Sequence, residues 1–321
     1  MDKKEEKILS LIEKVKLGND ISLSQKIEIF NRIYELPIDE KHNDISKLKE
    51  LIVYEFGEIP SLKNQKLSKD HFYLFPSDAR LNVPGLPQSG TGQTSIFCGI
   101  NAPKFVGKHF GPYPYSTLIP IIKEENIFKT LKEKGKNVFF ANAYPKVFFD
   151  YINSGKSRLS VTSLSCTLSG MRLNRASDVR NGKALTAEIT NERWNKKLGY
   201  NLKVIKPQIA ARRLLRIASR NSFTAYEYFL TDHIGHGRDV GDAEETLNIF
   251  DDFLFTILSE MDKDKITLII CSDHGNLEDL SIKTHTLNPA LTITAGKFGK
   301  ELSLEIKNIS QIKNAIIKYC K

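Results

Sequence analysis

Residues 265–276 read KITLIICSDHGN. The run from Ile266 to Cys271, apolar apart from the β-branched Thr267, reads as a strand. The polar Ser272, Asp273, His274, Gly275 and Asn276 mark where it leaves the sheet. Upstream, FTAYEYFLTD (223–232) predicts a second strand, which runs on into Ile234, Gly235 and His236. Between the two lies AEETLNIFDDFLFTILSEM (243–261), in which Leu247, Phe250, Leu254, Ile257, Leu258 and Met261 recur at helical spacing and form one apolar face. Strand, helix and strand in that order predict a crossover with parallel strands.

The same alternation extends outward. NVFFANAY (137–144) reads as a buried strand preceded by the helical IFKTLKEKGK, and ALTIT (290–294) as a further strand. SQIKNAIIKY closes the chain as a helix with Ser310 as its cap. Towards the N-terminus, HFYLF (71–75) is a short apolar run, and LNVPGLPQSGTGQTSIFCG (81–99) is a turn-rich segment leading into a helix. KKEEKILSLIEKV, SLSQKIEIFNRIYEL and DISKLKELIVYEF read as three helices before residue 65. The expected fold is α/β, a mostly parallel sheet flanked by helices. It divides into a helical N-terminal segment (1–65), a core (66–145 and 221–321) and a small inserted cap (146–220).

Composition narrows the function. At 40% hydrophobic residues the chain can bury a sizeable core, which excludes an intrinsically disordered protein. No run reaches the roughly 18 apolar residues of a membrane span, and MDKKEEKILSLIEKVK has no apolar signal region. A cytoplasmic protein without a membrane partner is expected. Cys98, Cys166, Cys271 and Cys320 stand far apart, which argues against disulfides and structural zinc. The net charge of +9 is concentrated: residues 151–220 hold 15 bases and 3 acids, whereas the rest of the chain holds 32 bases and 35 acids. Such a stretch is either a solvated face or a surface for an anion. No nucleic-acid-binding motif accompanies it, so a small phosphorylated substrate is the expected partner.

Four of the seven histidines, His233, His236, His274 and His285, fall between residues 233 and 285. In open α/β sheets ligands gather at the carboxyl ends of strands. Here two strands deliver Asp and His at those ends, Asp232 with His236 and Asp273 with His274. Asp232 and His236 lie four residues apart across a Gly turn, close enough to converge on one ion. Carboxylate with imidazole suits zinc, manganese or iron rather than calcium. A second feature is PQSGTGQTS (87–95), where glycines and small hydroxyls open a helix. Its amides would face a phosphate, and a hydroxyl beside a dication would serve as a nucleophile. No Gly-Lys-Ser/Thr follows, so it is not a P-loop.

In this order the pieces resemble the alkaline phosphatase superfamily, in particular the branch of cofactor-independent phosphoglycerate mutase and phosphopentomutase. Asp232 with His236, the Ser272–Asn276 segment, Thr284-His285-Thr286 and Ser89-x-x-Gly92 are similar to that branch's motifs, with Gln93 where the family has His. The resemblance implies two divalent ions, manganese or zinc first and magnesium as a further option. Asp232, His236 and His285 would hold one, and Asp273, His274 and the Ser89 oxygen the other. Ser89 would carry a phosphoseryl intermediate, with Thr91 beside it. Arg172, Arg175, Arg180 and Lys183 of the cap would be candidates for binding the substrate. The implied enzyme is a phosphomutase or phosphomonoesterase. One departure stands against it. The family opens on a strand ending in Asp-Gly, whose Asp holds the second ion, and this chain contains no Asp-Gly. Asp78 is open to two readings, a replacement ligand or a turn residue. A catalytically impaired metal-binding relative is the alternative.

Overall fold

A computed structural model describes residues 65–320, except 157 and 239. The three helices expected before residue 65 lie outside the described residues.

Eight short strands follow in chain order: β1 (Leu67–Lys69), β2 (Phe72–Ser77), β3 (Val138–Phe140), β4 (Asn142–Ala143), β5 (Leu185–Thr186), β6 (Phe223–Ala225), β7 (Thr267–Cys271) and β8 (Ala290–Gly296). The largest sheet has the order β1-β2-β8-β7. Side chains alternate across it with the period of two that a pleated strand imposes. Phe72 and Leu74 of β2, Leu268 and Ile270 of β7, and Leu291, Ile293 and Ala295 of β8 share one apolar cluster. Phe75, Ala290, Ile269 and Cys271 face another. The helices Pro207–Ala218 and Ala243–Glu260 cover the first face with Ala210, Ala211, Phe253, Leu254, Ile257 and Leu258. Gly299–Glu305 and Ile312–Tyr319 cover the second with Leu302, Ile312 and Ala315. The sheet is thus the middle of three layers.

The mixed α/β reading holds, but the expectation of a mostly parallel sheet does not. In the four-stranded sheet every pairing is antiparallel. Among the described strands, the small pairs β3 with β6 and β4 with β5 are the parallel ones. The reason lies in the connection from β7 to β8. The residues between Cys271 and Ala290 contain no helix, and without a crossover element the chain returns antiparallel. Because β2 and β7 both pair antiparallel with β8, they run in the same direction and their carboxyl ends meet one edge of the sheet.

The predicted strands also shorten. In 137–144 the extended run divides into β3 and β4, and in 223–232 it stops at Ala225. A helix, Leu230–Gly235, takes over there and carries Asp232. The capping of the closing segment also differs. Asn308, not Ser310, caps it: its side chain accepts from the Ser310 amide at the head of a short 3-10 turn that leads into Ile312–Tyr319. No helix among the described residues is long and apolar enough to cross a membrane. Five helices occupy the basic 146–220 stretch, among them Val161–Leu168, Ala176–Arg180 and Pro207–Ala218.

Candidate metal centre and nucleophile

The carboxyl edge of β7 and the segments around it bring six of the expected residues together. Asp232 and His236 meet through helical pitch rather than a Gly turn, since Leu230–Gly235 is helical and His236 caps it. Residues four apart on a helix share a face. His236 Nε2 lies 3.3 Å from Asp232 Oδ1 and 3.1 Å from His285 Nε2, and the third side, His285 Nε2 to Asp232 Oδ1, is 3.7 Å. One face of a zinc tetrahedron with bonds of about 2.0–2.1 Å has edges of roughly 3.3 Å. The triangle of ligand atoms therefore has the size of such a face.

Its electronic state also suits a cation. His236 Nδ1 lies 2.8 Å from the Lys283 carbonyl, and His285 Nδ1 lies 2.6 Å from the Pro87 carbonyl. A carbonyl only accepts, so each Nδ1 carries the proton and donates it. Each neutral ring then turns an Nε2 lone pair towards the other and towards a carboxylate oxygen. These are three electron-rich atoms that only a proton or a metal ion can reconcile. Where a proton takes that place, burial opposes ionisation of Asp232, yet a protonated His285 and the other imidazoles beside it hold its carboxyl down at about 2. Burial likewise works against protonating His285, but the Asp232 carboxylate and the Pro87 carbonyl keep that imidazole above its ordinary value.

His274 links this triangle to Ser89. Its ring stacks on His285 with centroids 3.6 Å apart and planes 20° apart, and its Nε2 lies 2.9 Å from Ser89 Oγ. Asp273 Oδ1 is 3.5 Å from the same nitrogen, and Asp273 Oδ2 is buried without a hydrogen-bond partner. An orphaned carboxylate oxygen beside an imidazole and a hydroxyl fits a second cation.

β2 finishes at Ser77. Asp78 follows it, and its oxygens accept the amides of Arg80 at 2.8 Å and Leu81 at 3.1 Å. Asp78 is therefore the turn residue of the two readings. The second group consists of Asp273, His274 and Ser89.

Ser89 begins the helix Ser89–Cys98, whose glycines allow the fit. A Cβ on Gly92 would stand 2.7 Å from the Asp273 carbonyl, and one on Gly90 would stand 2.1 Å from the Tyr113 carbonyl. Thr91 is fully buried and structural in its contacts: its amide donates to the Phe110 carbonyl at 2.9 Å, and its hydroxyl accepts the Phe110 amide at 3.2 Å. Of the basic candidates, Arg172 makes a bidentate pair with Asp178 at 2.7 and 2.9 Å, and Arg175 lies 4.1 Å over the Phe149 ring. Arg180 and Lys183 are exposed.

Two carboxylates near these residues belong to none of the sequence motifs. Glu278, 3% exposed, accepts the Asn276 amide at 2.7 Å, the Asn288 amide group at 3.1 Å and the Thr286 hydroxyl. It ties together the two ends of the loop that presents His274 and His285. Glu227 sits just beyond β6 with its backbone clamped by Asn142 at 2.7 and 2.8 Å. Burial pushes its carboxyl up to about 7, against the Thr162 hydroxyl bond and with the Asp273 charge adding to the rise. A lone acid inside the apolar FTAYEYFL run was the available signal, since charge within a buried strand demands a reason.

Residues 199–319 match the family model of the Metalloenzyme superfamily, part of the alkaline phosphatase-like group. The match includes Asp232, His236, Asp273, His274 and His285 and begins after Ser89. Among solved structures, the chain is similar to the PH0037 protein from Pyrococcus horikoshii at 13% identity and a TM-score of 0.36. The likeness covers 59% of this chain, which spans 43% of that one. No curated protein matches the chain.

Proposed function

We propose that the protein is a metal-dependent phosphotransfer enzyme, a phosphomutase or phosphomonoesterase, acting on a small phosphorylated metabolite through Ser89. The observation that carries the reading is the continuous array from Asp232 through His236, His285 and His274 to Ser89 Oγ. It puts a candidate cation-binding group beside a hydroxyl at the start of a helix. Asp232, His236 and His285 would hold one divalent ion, manganese or zinc first and magnesium as a further option. Asp273, His274 and Ser89 would hold a second. The ions, when bound, supply Lewis acidity that lowers the pKa of the serine hydroxyl and neutralises charge on the phosphoryl oxygens.

The chain's own groups do the rest. Ser89 Oγ attacks phosphorus, the bond from phosphorus to the leaving oxygen breaks, and the phosphoryl group rests on the serine. The transferred group would sit at the start of the helix Ser89–Cys98, where the helix dipole favours negative charge. A mutase then returns the phosphoryl group to another oxygen of the same substrate, whereas a phosphatase passes it to water.

Acid quench of the protein mixed with an aryl phosphate, followed by peptide mass spectrometry, tests the covalent step. One added phosphoryl group on the peptide holding Ser89 supports it, and its absence under turnover conditions contradicts it.

A second reading, an impaired relative that binds metal, is favoured by one observation: Asp78 caps a turn, leaving the second group with three ligands. One ion per chain without turnover would select that reading.

A further inference from the structure

We infer that the cavity between the Pro84–Gln88 segment and the Lys108–Gly111 segment is the subsite for the part of the substrate that is not transferred, and that Lys108 selects there for a negatively charged group. The inference rests on the phosphotransfer reading for the position of the transferred phosphoryl group.

The cavity has a volume of about 420 Å³, and its lining includes Pro84, Leu86, Gln88, Lys108, His109 and Gly111. It adjoins the backbone at Ser89. Gln88 immediately precedes Ser89, and a Cβ on Gly111 would stand 3.2 Å from the Ser89 amide nitrogen. Its two walls are held together. His109 Nε2 donates to the Val83 carbonyl at 3.2 Å, and the Thr91–Phe110 hydrogen bonds fasten the second wall to the helix that carries Ser89. Burial lowers the His109 pKa, so this ring bridges the walls as a neutral donor.

Lys108 is the group without a structural task. It is exposed and takes part in none of the ion pairs among the described residues. Its ammonium lies 5.9 Å from the Phe110 ring centre and 5.8 Å from that of Tyr115, two rings that pack edge to face at 4.8 Å. Aromatic faces steady a cation without neutralising it, which leaves the charge available to a ligand. The apolar Pro84 and Leu86 supply contact for a carbon frame. By contrast, Arg172 in the basic 151–220 stretch is already neutralised by Asp178. The site therefore fits a monophosphate ester whose carbon skeleton carries a second anion, either a carboxylate or another phosphate.

The test is equilibrium binding of three non-hydrolysable probes to the full chain in the presence of Mn²⁺: benzylphosphonate, its para-carboxylate and the corresponding bisphosphonate. One charge-assisted contact at an exposed site predicts that the doubly anionic probes bind about five- to tenfold more tightly. The better of the two names the second anion. K108A should bring the ratio to about one, K108R should preserve most of it, and K104A, which removes a lysine outside the cavity, should leave it unchanged. Equal affinities in the unmodified protein, a ratio that survives K108A, or an equal loss in K104A overturns the inference. Turnover of phenyl phosphate, measured alongside, judges the phosphotransfer reading separately. A charge preference without turnover keeps the subsite and sinks the reaction, and turnover without a preference does the reverse.

Discussion

Ser89 Oγ and His274 Nε2, 185 residues apart in sequence, lie 2.9 Å apart. The contact joins the first turn of one helix to the loop beyond β7, so that His274, which stacks on His285, also adjoins the proposed nucleophile. Ser89→Ala should lower aryl phosphate turnover by at least about a thousandfold, because both the attacking oxygen and a metal contact are lost. Metal content at the Asp232 triangle should persist, and elemental analysis of the same sample checks that the loss is chemical.

Asp232→Asn should remove one ion per chain. The substitution keeps the shape but removes the anion that the two imidazoles face at 3.3 and 3.7 Å. Loss of a supporting hydrogen bond around a metal costs roughly 10–100-fold in affinity, and loss of the charged ligand should exceed that. Competition against a chelator of known affinity measures it.

Glu278→Gln should loosen the loop that presents His274 and His285. An amide nitrogen cannot accept the bonds that one carboxylate now takes from Asn276, Thr286 and Asn288. A cost of about 1–3 kcal/mol is expected from the unsatisfied donors, with weaker metal retention. Denaturant unfolding and chelator competition on the same variant report both.

Gly92→Ala would ordinarily strengthen a helix by up to about 1 kcal/mol. Here the added Cβ would meet the Asp273 carbonyl at 2.7 Å. The helix or the loop must shift, so stability should fall by about 1–3 kcal/mol and turnover should drop with it. A thermal melt showing a more stable protein would contradict the close packing.

Glu227 gives a pH dependence with a defined sign. Its folded pKa of about 7 lies above the ordinary 4.5. The folded state therefore holds its proton where the unfolded state has lost it, and stability falls as pH rises from about 4.5 through 7, by an upper bound of about 3 kcal/mol. Glu227→Gln removes that loss. In chelator-treated protein the variant should be more stable than the original at pH 8, and the difference should vanish near pH 4.5.

The polar end of β7 is readable because Asp273 and His274 interrupt an apolar run abruptly, whereas Asp232 and His236 lie on a short helix beyond β6 and not at a strand end, although the structure still brings them together with His285. The helix Ala243–Glu260 was readable from its periodicity, and its inner face matches through Leu254, Ile257 and Leu258. Strand direction was not readable, because a parallel and an antiparallel pair buried on both faces share one pattern. The helix-free link from Cys271 to Ala290 decides the matter in space. In the basic stretch the charge is readable but its partners are not. Formal charge counts bases but not their partners, and Arg172 is bound to Asp178 while Arg213 donates to the Val179 and Ala184 carbonyls. Lys108 stood outside that stretch, so nothing in the charge distribution singled it out.

The central claim is that bound cations activate Ser89 for phosphoryl transfer. The most direct measurement is turnover of an aryl phosphate by chelator-stripped protein as Mn²⁺ or Zn²⁺ is added back. The account predicts no turnover in the stripped protein and recovery that saturates as the sites around Asp232 and Asp273 fill. Turnover that is unaffected by stripping, or stripped protein that regains metal yet stays inert towards every phosphate ester offered, would contradict it.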